Sequence, residues 1–200
     1  MSAPLSNRIL EAILESPFAG ETPSVYCDLD GVLANFYAGM EKYIGVPQKN
    51  VNHFLTNQDG WAKIERKEPH LFAKLPMLPD AKGLINGLLS FRDKGQIDLY
   101  ILTAIPDEWA SSPTMRKVAI LDKVQWVTRH FQKIPAKNVI VVRREEKQNY
   151  AQTHIDAGDP PPVLIDDYGK NIIEWESAGG FGIKHTGSMS SLRALYTYLE

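Results

Sequence analysis

Residues 25–32 read VYCDLDGV, and this short stretch decides how the rest of the chain is interpreted. The apolar residues at its start predict a buried β-strand, and Gly31 predicts a turn before the apolar residues that follow. Asp28 and Asp30 lie between the two, where the chain leaves the strand. Two carboxylates beside a hydrophobic strand are costly unless a cation or a proton compensates their charge. The stretch therefore predicts a functional site at the open end of a sheet.

Four further short apolar segments, each bounded by polar or turn residues, predict strands that are buried on both faces. Segments with helical spacing lie between the strands, and this alternation predicts an α/β fold with a doubly wound parallel sheet. The predicted strands are Ser24–Asp28, Ile97–Leu102, Val139–Val142, Val163–Asp166 and Phe181–Lys184, and the predicted helices are Ala81–Lys94, Met115–Phe131, Asn171–Ala178 and Ser190–Leu199.

The segment between the first two predicted strands is too long for a single crossover helix. It is rich in aromatic residues and is interrupted by Pro47, Pro69 and Pro76. We therefore predict a small helical cap over residues 36–78, inserted after the first strand, above the sheet end where ligands bind in such folds. The α/β core then comprises residues 1–35 and 79–200, with a short amphipathic helix over residues 6–15.

Composition narrows the classes of protein to consider. The chain has 200 residues, of which 44% are hydrophobic, and this suits one globular domain with a small insertion. A net charge of -2 and a pI of about 6.2 give no overall attraction for nucleic acid or membranes. No run approaches the roughly 20 apolar residues of a membrane helix. The single cysteine, Cys27, excludes an internal disulfide and fits a cytoplasmic location. The cap and the N-terminal helix are candidate surfaces for a homodimer.

Polar residues follow three of the predicted strands. They are Asp28 with Asp30, then Thr103, then Asp166 with Asp167. The carboxyl ends of parallel strands line one crevice, so we expect these side chains to meet there. Carboxylates gathered in one place repel each other unless a hard cation lies among them, and oxygen ligands favour Mg²⁺. With a hydroxyl and a lysine nearby, such a site has the parts for phosphoryl transfer, in which one aspartate attacks phosphorus.

The order of these motifs resembles that of the haloacid dehalogenase superfamily. The matching stretches are DLDGV at 28–32, LTA at 102–104, a lysine ahead of the last motif, and LIDD at 164–167. Residues 28–36, LPMLP at 75–79 and KVQWVTRHF at 123–131 resemble the 5′(3′)-deoxyribonucleotidase branch. The resemblance extends over most of the chain. It implies a Mg²⁺-dependent phosphatase that hydrolyses (deoxy)nucleoside monophosphates through an aspartyl-phosphate intermediate.

The resemblance also implies roles for single residues. Asp28 is the expected nucleophile, and Asp30 is the expected general acid for the leaving alcohol and base for the attacking water. Superfamily members that cleave carbon–halogen bonds lack an acid at the second position. Thr103 is expected to bind a phosphoryl oxygen through its hydroxyl and backbone amide, and Ala104 is expected beside the substrate.

The expected Mg²⁺ ligands are Asp28, the backbone carbonyl of Asp30, and Asp166, with Asp167 acting through water or behind the ligands. Sequence leaves open which of the last two carboxylates touches the metal directly.

The phosphate-binding lysine has three candidates. Lys147 lies between the third strand and the last motif, where the family places this residue, and we prefer it over Lys117 or Lys123. The segment from Gln148 to Pro162 is longer than the resemblance leads us to expect, so its local geometry is undefined by the sequence.

Aromatic residues are the candidate contacts for a nucleoside base. Phe36 follows the DLDGV turn and matches such a contact in the nucleotidase branch, while Trp61 and Phe72 lie in the predicted cap. A flat base gains stacking and burial from such rings. The same residues could instead pack the core of the cap.

Other functions stay open at this stage. The site could serve another small phosphorylated metabolite or a nucleic-acid 3′ phosphate, although the mildly acidic composition argues against polynucleotide substrates. A non-catalytic scaffold that only binds a ligand is the third reading.

Overall fold

The computed structural model describes residues 21–57 and 59–200, so the helix predicted over residues 6–15 lies outside the described residues. The strands are β1 (Ser24–Cys27), β2 (Asp98–Ile105), β3 (Val139–Arg143), β4 (Val163–Asp166) and β5 (Phe181–Lys184). They form one five-stranded sheet with the order β3-β2-β1-β4-β5, and each neighbouring pair is parallel. The predicted α/β fold with a parallel sheet is confirmed.

Strand β2 is longer than predicted, because it continues to Ile105 and does not end at Leu102. Its last residues pair with β3, where Thr103 lies opposite Val141. Thr103 is therefore inside the strand, whereas the sequence placed it after the strand. Pairing on one side and full burial hold this residue in a fixed position.

Short helices separate β1 from the rest of the core, within the residues that we predicted as the cap. They end just before a Pro-rich connection back to the core. Residues 36–78 remain our working definition of the cap. Its elements are α1 (Phe36–Gly39), a π-helical turn (Met40–Ile44), a 3₁₀ turn (Gln48–Asn50), α2 (Val51–Asn57), α3 (Gly60–Lys67) and α4 (Leu71–Lys74).

The helices that follow the cap alternate with the remaining strands, and most of them are longer than those of the cap. Most begin or end within two residues of the predicted limits. They are α5 (Ala81–Asp93), α6 (Asp107–Ala110), α7 (Pro113–His130), α8 (Lys147–Ala157), α9 (Gly169–Ser177) and α10 (Ser188–Leu199).

Helices cover both faces of the sheet, as the alternation of side chains along β1 requires. Val25 and Cys27 belong to the larger core, which includes residues of α5, α7 and α10. Tyr26 points to the opposite face and packs with residues of α8 and α9, among them Trp175. The sheet is therefore the middle of three layers, and its strand ends are open to the cap.

Helix α8 was not predicted. It occupies most of the segment after Lys147 and ends at Gly158, whose φ of 79° is in the left-handed region. The signal in the sequence is weak, because Lys147 and Ala151 are its buried residues and most other positions are polar. The helix matters for function, because its first residue is the predicted phosphate-binding lysine.

The cap is tied to the core at two places. Its two connections run side by side, since Asn35 N donates to Pro76 O over 2.7 Å and Leu78 N donates to Leu33 O over 2.8 Å. At its end, Trp126 of α7 donates through Nε1 to the carbonyl of Leu75 over 2.7 Å. The last of these contacts holds the end of α4 against α7.

Candidate active site

Three strand ends bring the predicted acidic residues together. In the sheet, Cys27 lies opposite Ile101 of β2 and Ile165 of β4. Asp28 follows directly, and its backbone N–H donates to Ile165 O over 2.9 Å. Because β1 is the central strand, this register sets Asp28 between the end of β4 and the last residues of β2. The convergence predicted from the sequence is therefore present.

A tight turn returns the chain towards the site after Asp28. The carbonyl of Leu29 accepts hydrogen bonds from Leu33 N and Ala34 N, both over 2.8 Å. Gly31 has a φ of 84°, in the region that favours glycine. A Cβ atom at this position would lie 2.3 Å from Asp167 Oδ2, so the turn and the Asp167 carboxylate share the same space. Glycine is needed here for both reasons.

Lys147 joins two of the buried carboxylates. Its Nζ lies 2.9 Å from Asp28 Oδ1 and 2.8 Å from Asp166 Oδ2. Burial raises the pKa of Asp28 to about 8, against the opposing attraction of Lys147. Burial also lowers the pKa of Lys147, but the two carboxylates outweigh it and the net shift is upward. The single positive charge of Lys147 thus faces two carboxylates, so one negative charge stays uncompensated when both are ionised.

Asp166 is fully buried and its oxygens are already engaged. Oδ1 accepts a hydrogen bond from Tyr168 N over 2.8 Å. Oδ2 accepts from Lys147 Nζ and from Asn171 Nδ2, both over 2.8 Å. The carboxylate is therefore held by three donors from α8, the β4–α9 connection and α9.

Asp167 is held differently. Its carboxylate lies over Gly31, and its own carbonyl accepts a hydrogen bond from Lys184 Nζ. Burial, and then the neighbouring charge of Asp166, raise the pKa of Asp167 to about 6. Lys184 was not singled out from the sequence, because its position at the end of an edge strand carries no motif.

The three carboxylates fit a divalent cation. One oxygen from each of Asp28, Asp166 and Asp167 lies within 4.8 Å of the others. Asp28 Oδ1 is buried and accepts no hydrogen bond, since the contact with Lys147 is an ion pair without hydrogen-bond alignment. A donor set made only of carboxylate oxygens suits Mg²⁺, and the ion would offset the charge that Lys147 leaves uncompensated. The residues present therefore match the predicted metal.

A second buried lysine reaches the site, and the sequence had offered it only as a substitute for Lys147. Lys123 of α7 is fully buried, donates to Thr103 Oγ1 over 3.1 Å, and forms a short ion pair with Asp30 Oδ2. Lys117, the third candidate, is exposed on α7. The sequence does carry a signal for the burial of Lys123. At helical spacing it falls on the same face of α7 as Ala119 and Trp126, which are also buried.

The predicted aromatic contacts form one cluster that includes Trp109 of α6. The ring centroid of Phe36 lies 5.9 Å from that of Trp61 and 6.3 Å from that of Phe72. Trp109 packs edge-on against Trp61 and Phe72, at 5.6 Å and 5.5 Å. Phe72 and Trp109 are buried, whereas Phe36 and Trp61 are partly exposed. The cluster therefore has a packed inner half and an accessible outer half.

The aromatic cluster meets the second lysine. Lys123 Nζ lies 4.1 Å from the centre of the Phe72 ring, a distance at which a cation is attracted to the ring face. Ala104 is partly exposed and directly follows Thr103 in β2. The acids, both lysines, the hydroxyl and the rings thus belong to one connected site between core and cap.

Comparison with solved structures supports the fold. A hydrolase from Streptococcus pneumoniae TIGR4 aligns over 88% of this chain and 99% of its own, with a TM-score of 0.50 and 12% identity. A haloacid dehalogenase-like family hydrolase from Xanthomonas campestris aligns over 90% and 96%, with a TM-score of 0.50 and 13% identity. An L-2-haloacid dehalogenase gives the same score and identity over 90% and 100%. At such identity the likeness concerns the fold alone.

The sequence matches no curated protein significantly. Among the described residues, every helix is too short or too polar to span a bilayer.

The model of a family described as 5′ nucleotidase, deoxy (pyrimidine), cytosolic type C protein matches residues 22–188. This match covers most of the chain and all of the site residues, so the protein belongs to that nucleotidase family within the haloacid dehalogenase superfamily.

Proposed function

We propose that the protein is a cytoplasmic Mg²⁺-dependent phosphatase that hydrolyses (deoxy)nucleoside monophosphates to nucleoside and phosphate. The observation that carries the proposal is the pairing of two distinct acids with two buried lysines: Asp28 with Lys147, and Asp30 with Lys123. A dehalogenase needs only the first acid, whereas release of an alcohol needs a second acid to supply a proton. The chain carries both.

The first half-reaction forms a bond between Asp28 and phosphorus. An Asp28 oxygen attacks phosphorus, the bond from phosphorus to the nucleoside oxygen breaks, and Asp30, which enters this step as a protonated carboxylic acid, gives its proton to that oxygen. We propose that Thr103 and the two lysines bind phosphoryl oxygens, and Lys123 already donates a hydrogen bond to the Thr103 hydroxyl. Lys147 opposes the effect of burial on Asp28 and so favours its nucleophilic, charged form.

The second half-reaction removes the phosphoryl group from Asp28. Asp30, now a carboxylate, takes a proton from water while the water oxygen attacks phosphorus. The bond from phosphorus to Asp28 breaks, and phosphate leaves with both acids restored. The same residue thus serves as acid and then as base, as its place beside the nucleophile allows.

Bound Mg²⁺ would neutralise charge on the phosphoryl oxygens. We propose Asp28, the backbone carbonyl of Asp30 and Asp167 as its protein ligands. This choice between the two adjacent acids rests on hydrogen bonding, because Asp166 already accepts three hydrogen bonds. In this assignment Asp166 positions Lys147, and Asp167 is the direct ligand.

The partly exposed rings support a nucleoside as the leaving group. Phe36 and Trp61 present accessible aromatic surface on the cap, and stacking of a base on such rings is favourable. The buried rings of Phe72 and Trp109 support them from behind. We therefore assign base contact to Phe36 and Trp61, and support to Phe72.

The test is phosphate release from ribo- and deoxyribonucleoside monophosphates, sugar phosphates and 3′-phosphorylated oligonucleotides, with Mg²⁺ and with EDTA. We expect Mg²⁺-dependent release from nucleotides, and loss of turnover in Asp28→Asn with the fold retained. Release from sugar phosphates alone would refute the nucleotide assignment while leaving the chemistry. Full activity in Asp28→Asn would refute the nucleophile, and no turnover with any substrate would favour a binding scaffold.

A further inference from the structure

A chain of polar contacts links a surface ion pair to the buried acids. Arg144 follows β3, and its Nη1 contacts Glu174 Oε2 of α9 while its Nη2 lies 3.4 Å from Oε1. The same Nη1 donates to Asn171 Oδ1 over 3.3 Å. Asn171 then donates through Nδ2 to Asp166 Oδ2 over 2.8 Å. Two elements that flank the site are thereby joined through one amide.

The orientation of that amide is decided by its two neighbours. A guanidinium only donates hydrogen bonds, so the atom of Asn171 that faces Arg144 must be the oxygen. A carboxylate only accepts them, so the atom that faces Asp166 must be the nitrogen. The two requirements agree, and Asn171 is buried, with 6% of its surface exposed. Arg144 and Asp166 therefore fix together which way the amide points.

The consequence for the site lies in the next contact. Asp166 Oδ2 is shared between Asn171 and Lys147, and Lys147 is shared between Asp166 and Asp28. If the amide of Asn171 turned, its oxygen would face Asp166 Oδ2, and two acceptors would repel each other. Asp166 and Lys147 would then lose the arrangement that leaves Lys147 beside Asp28.

We propose that Arg144 is a positioning residue, which acts through Asn171 and Asp166 to set Lys147 beside Asp28. The inference rests on the proposed function for its effect on turnover, but the contacts stand without it. The Arg144 side chain is about a third exposed in its pair with Glu174, and its link to the buried acids runs through Asn171. A planar, multiply donating group is required, because Arg144 must meet a carboxylate and an amide together.

A double-mutant cycle on kcat/KM for phosphate release tests the pathway. Arg144→Ala is expected to lower kcat/KM by about 10- to 100-fold, the usual cost of removing a partner behind site ligands. Asn171→Ala should lose a similar factor, and the double variant no more than Asn171→Ala alone. Losses that multiply, or no loss in Arg144→Ala, would refute the proposal.

Lys170→Ala is the matched control. Lys170 lies on the same helix and its Nζ is 3.8 Å from Glu174 Oε1, so its removal takes away the same charge from the same carboxylate. We expect its kcat/KM to stay within about two-fold of the unaltered protein, because an exposed pair of this kind contributes little. Arg144→Lys keeps the charge but loses the planar fork, and should lose more activity than Lys170→Ala.

A second readout separates this proposal from the proposed function. Calorimetric titration of the substrate-free protein with Mg²⁺ should show an affinity in Arg144→Ala that differs from that in Lys170→Ala, at similar melting temperatures, because a displaced Lys147 changes the charge around Asp28. Equal affinities would refute the positioning role whatever turnover shows. If the unaltered protein released phosphate from no substrate, the proposed function would fail by itself, and the titration would still decide the role of Arg144.

Discussion

Gly31→Ala offers a sharp test of the site geometry, because the structure separates its two effects. The first is backbone strain: at a φ of 84° an alanine costs about 1–2 kcal/mol. The second is a collision, since the new Cβ would lie 2.3 Å from Asp167 Oδ2 and 2.6 Å from Oδ1, where ordinary contact begins at 3.4 Å. The Asp167 carboxylate must therefore move by about 1 Å. A displacement of that size at a catalytic site costs on the order of 100-fold in rate.

Gly158→Ala is the control, because it has the strain without the collision. Its φ is 79°, and a Cβ atom there would meet nothing within 4 Å. Both variants should lose about 2–4 °C in melting temperature per kcal/mol of strain. Phosphate release and Mg²⁺ affinity, measured on both, should fall about 100-fold in Gly31→Ala only. If Gly31→Ala kept the activity and Mg²⁺ affinity of Gly158→Ala, the placement of Asp167 at the metal would be wrong.

Three further outcomes follow from contacts already described. Without Mg²⁺, the melting temperature should fall as pH rises from about 4 to about 8. The raised pKa of Asp28 means that, in this range, the folded protein holds a proton that the unfolded chain releases. Asp28→Asn should flatten this slope, and an unchanged slope would contradict the argument that burial raises the pKa. Lys123→Met should lower kcat more than it raises KM, because it removes the cation beside Asp30, and an unaffected kcat in steady-state assays would exclude that role. Tyr26→Phe should lower the free energy of unfolding by about 0.5–1.5 kcal/mol, because the Tyr26 hydroxyl is 2.8 Å from His154 Nε2, and urea titration would show no change if that bond contributed nothing.

The sequence was sufficient for the parts of the site that depend on strand order. Once β1, β2 and β4 were predicted as parallel, Asp28, Thr103 and Asp166 had to share one edge of the sheet. The preference for Lys147 over Lys117 also agrees with the geometry, since Lys147 lies between two of the acids and Lys117 is exposed.

Other features depended on contacts that a linear pattern does not encode. The sequence pattern makes Lys123 a rival to Lys147, because a lysine on a helix is usually exposed and only tertiary packing around α7 buries this one. Two of the three hydrogen bonds that engage Asp166 come from Tyr168 and Asn171, residues whose types suggest no chemistry. The extension of β2 beyond Leu102 depends on pairing with β3, which is also a tertiary contact.

The contacts between α4 and α7 attach this part of the cap to the core. His70 Nδ1 lies 3.0 Å from Asp122 Oδ1, and Phe72 covers Lys123 two residues further along the cap. Lifting α4 would break this pair and uncover a charged lysine, so this part of the cap moves with the core. We expect a ligand that enters the site to meet this surface with little movement of α4. We therefore expect size selection on this side to depend on steric exclusion by α4, and new substrate preferences to be more accessible through changes in α1–α3 than in α4.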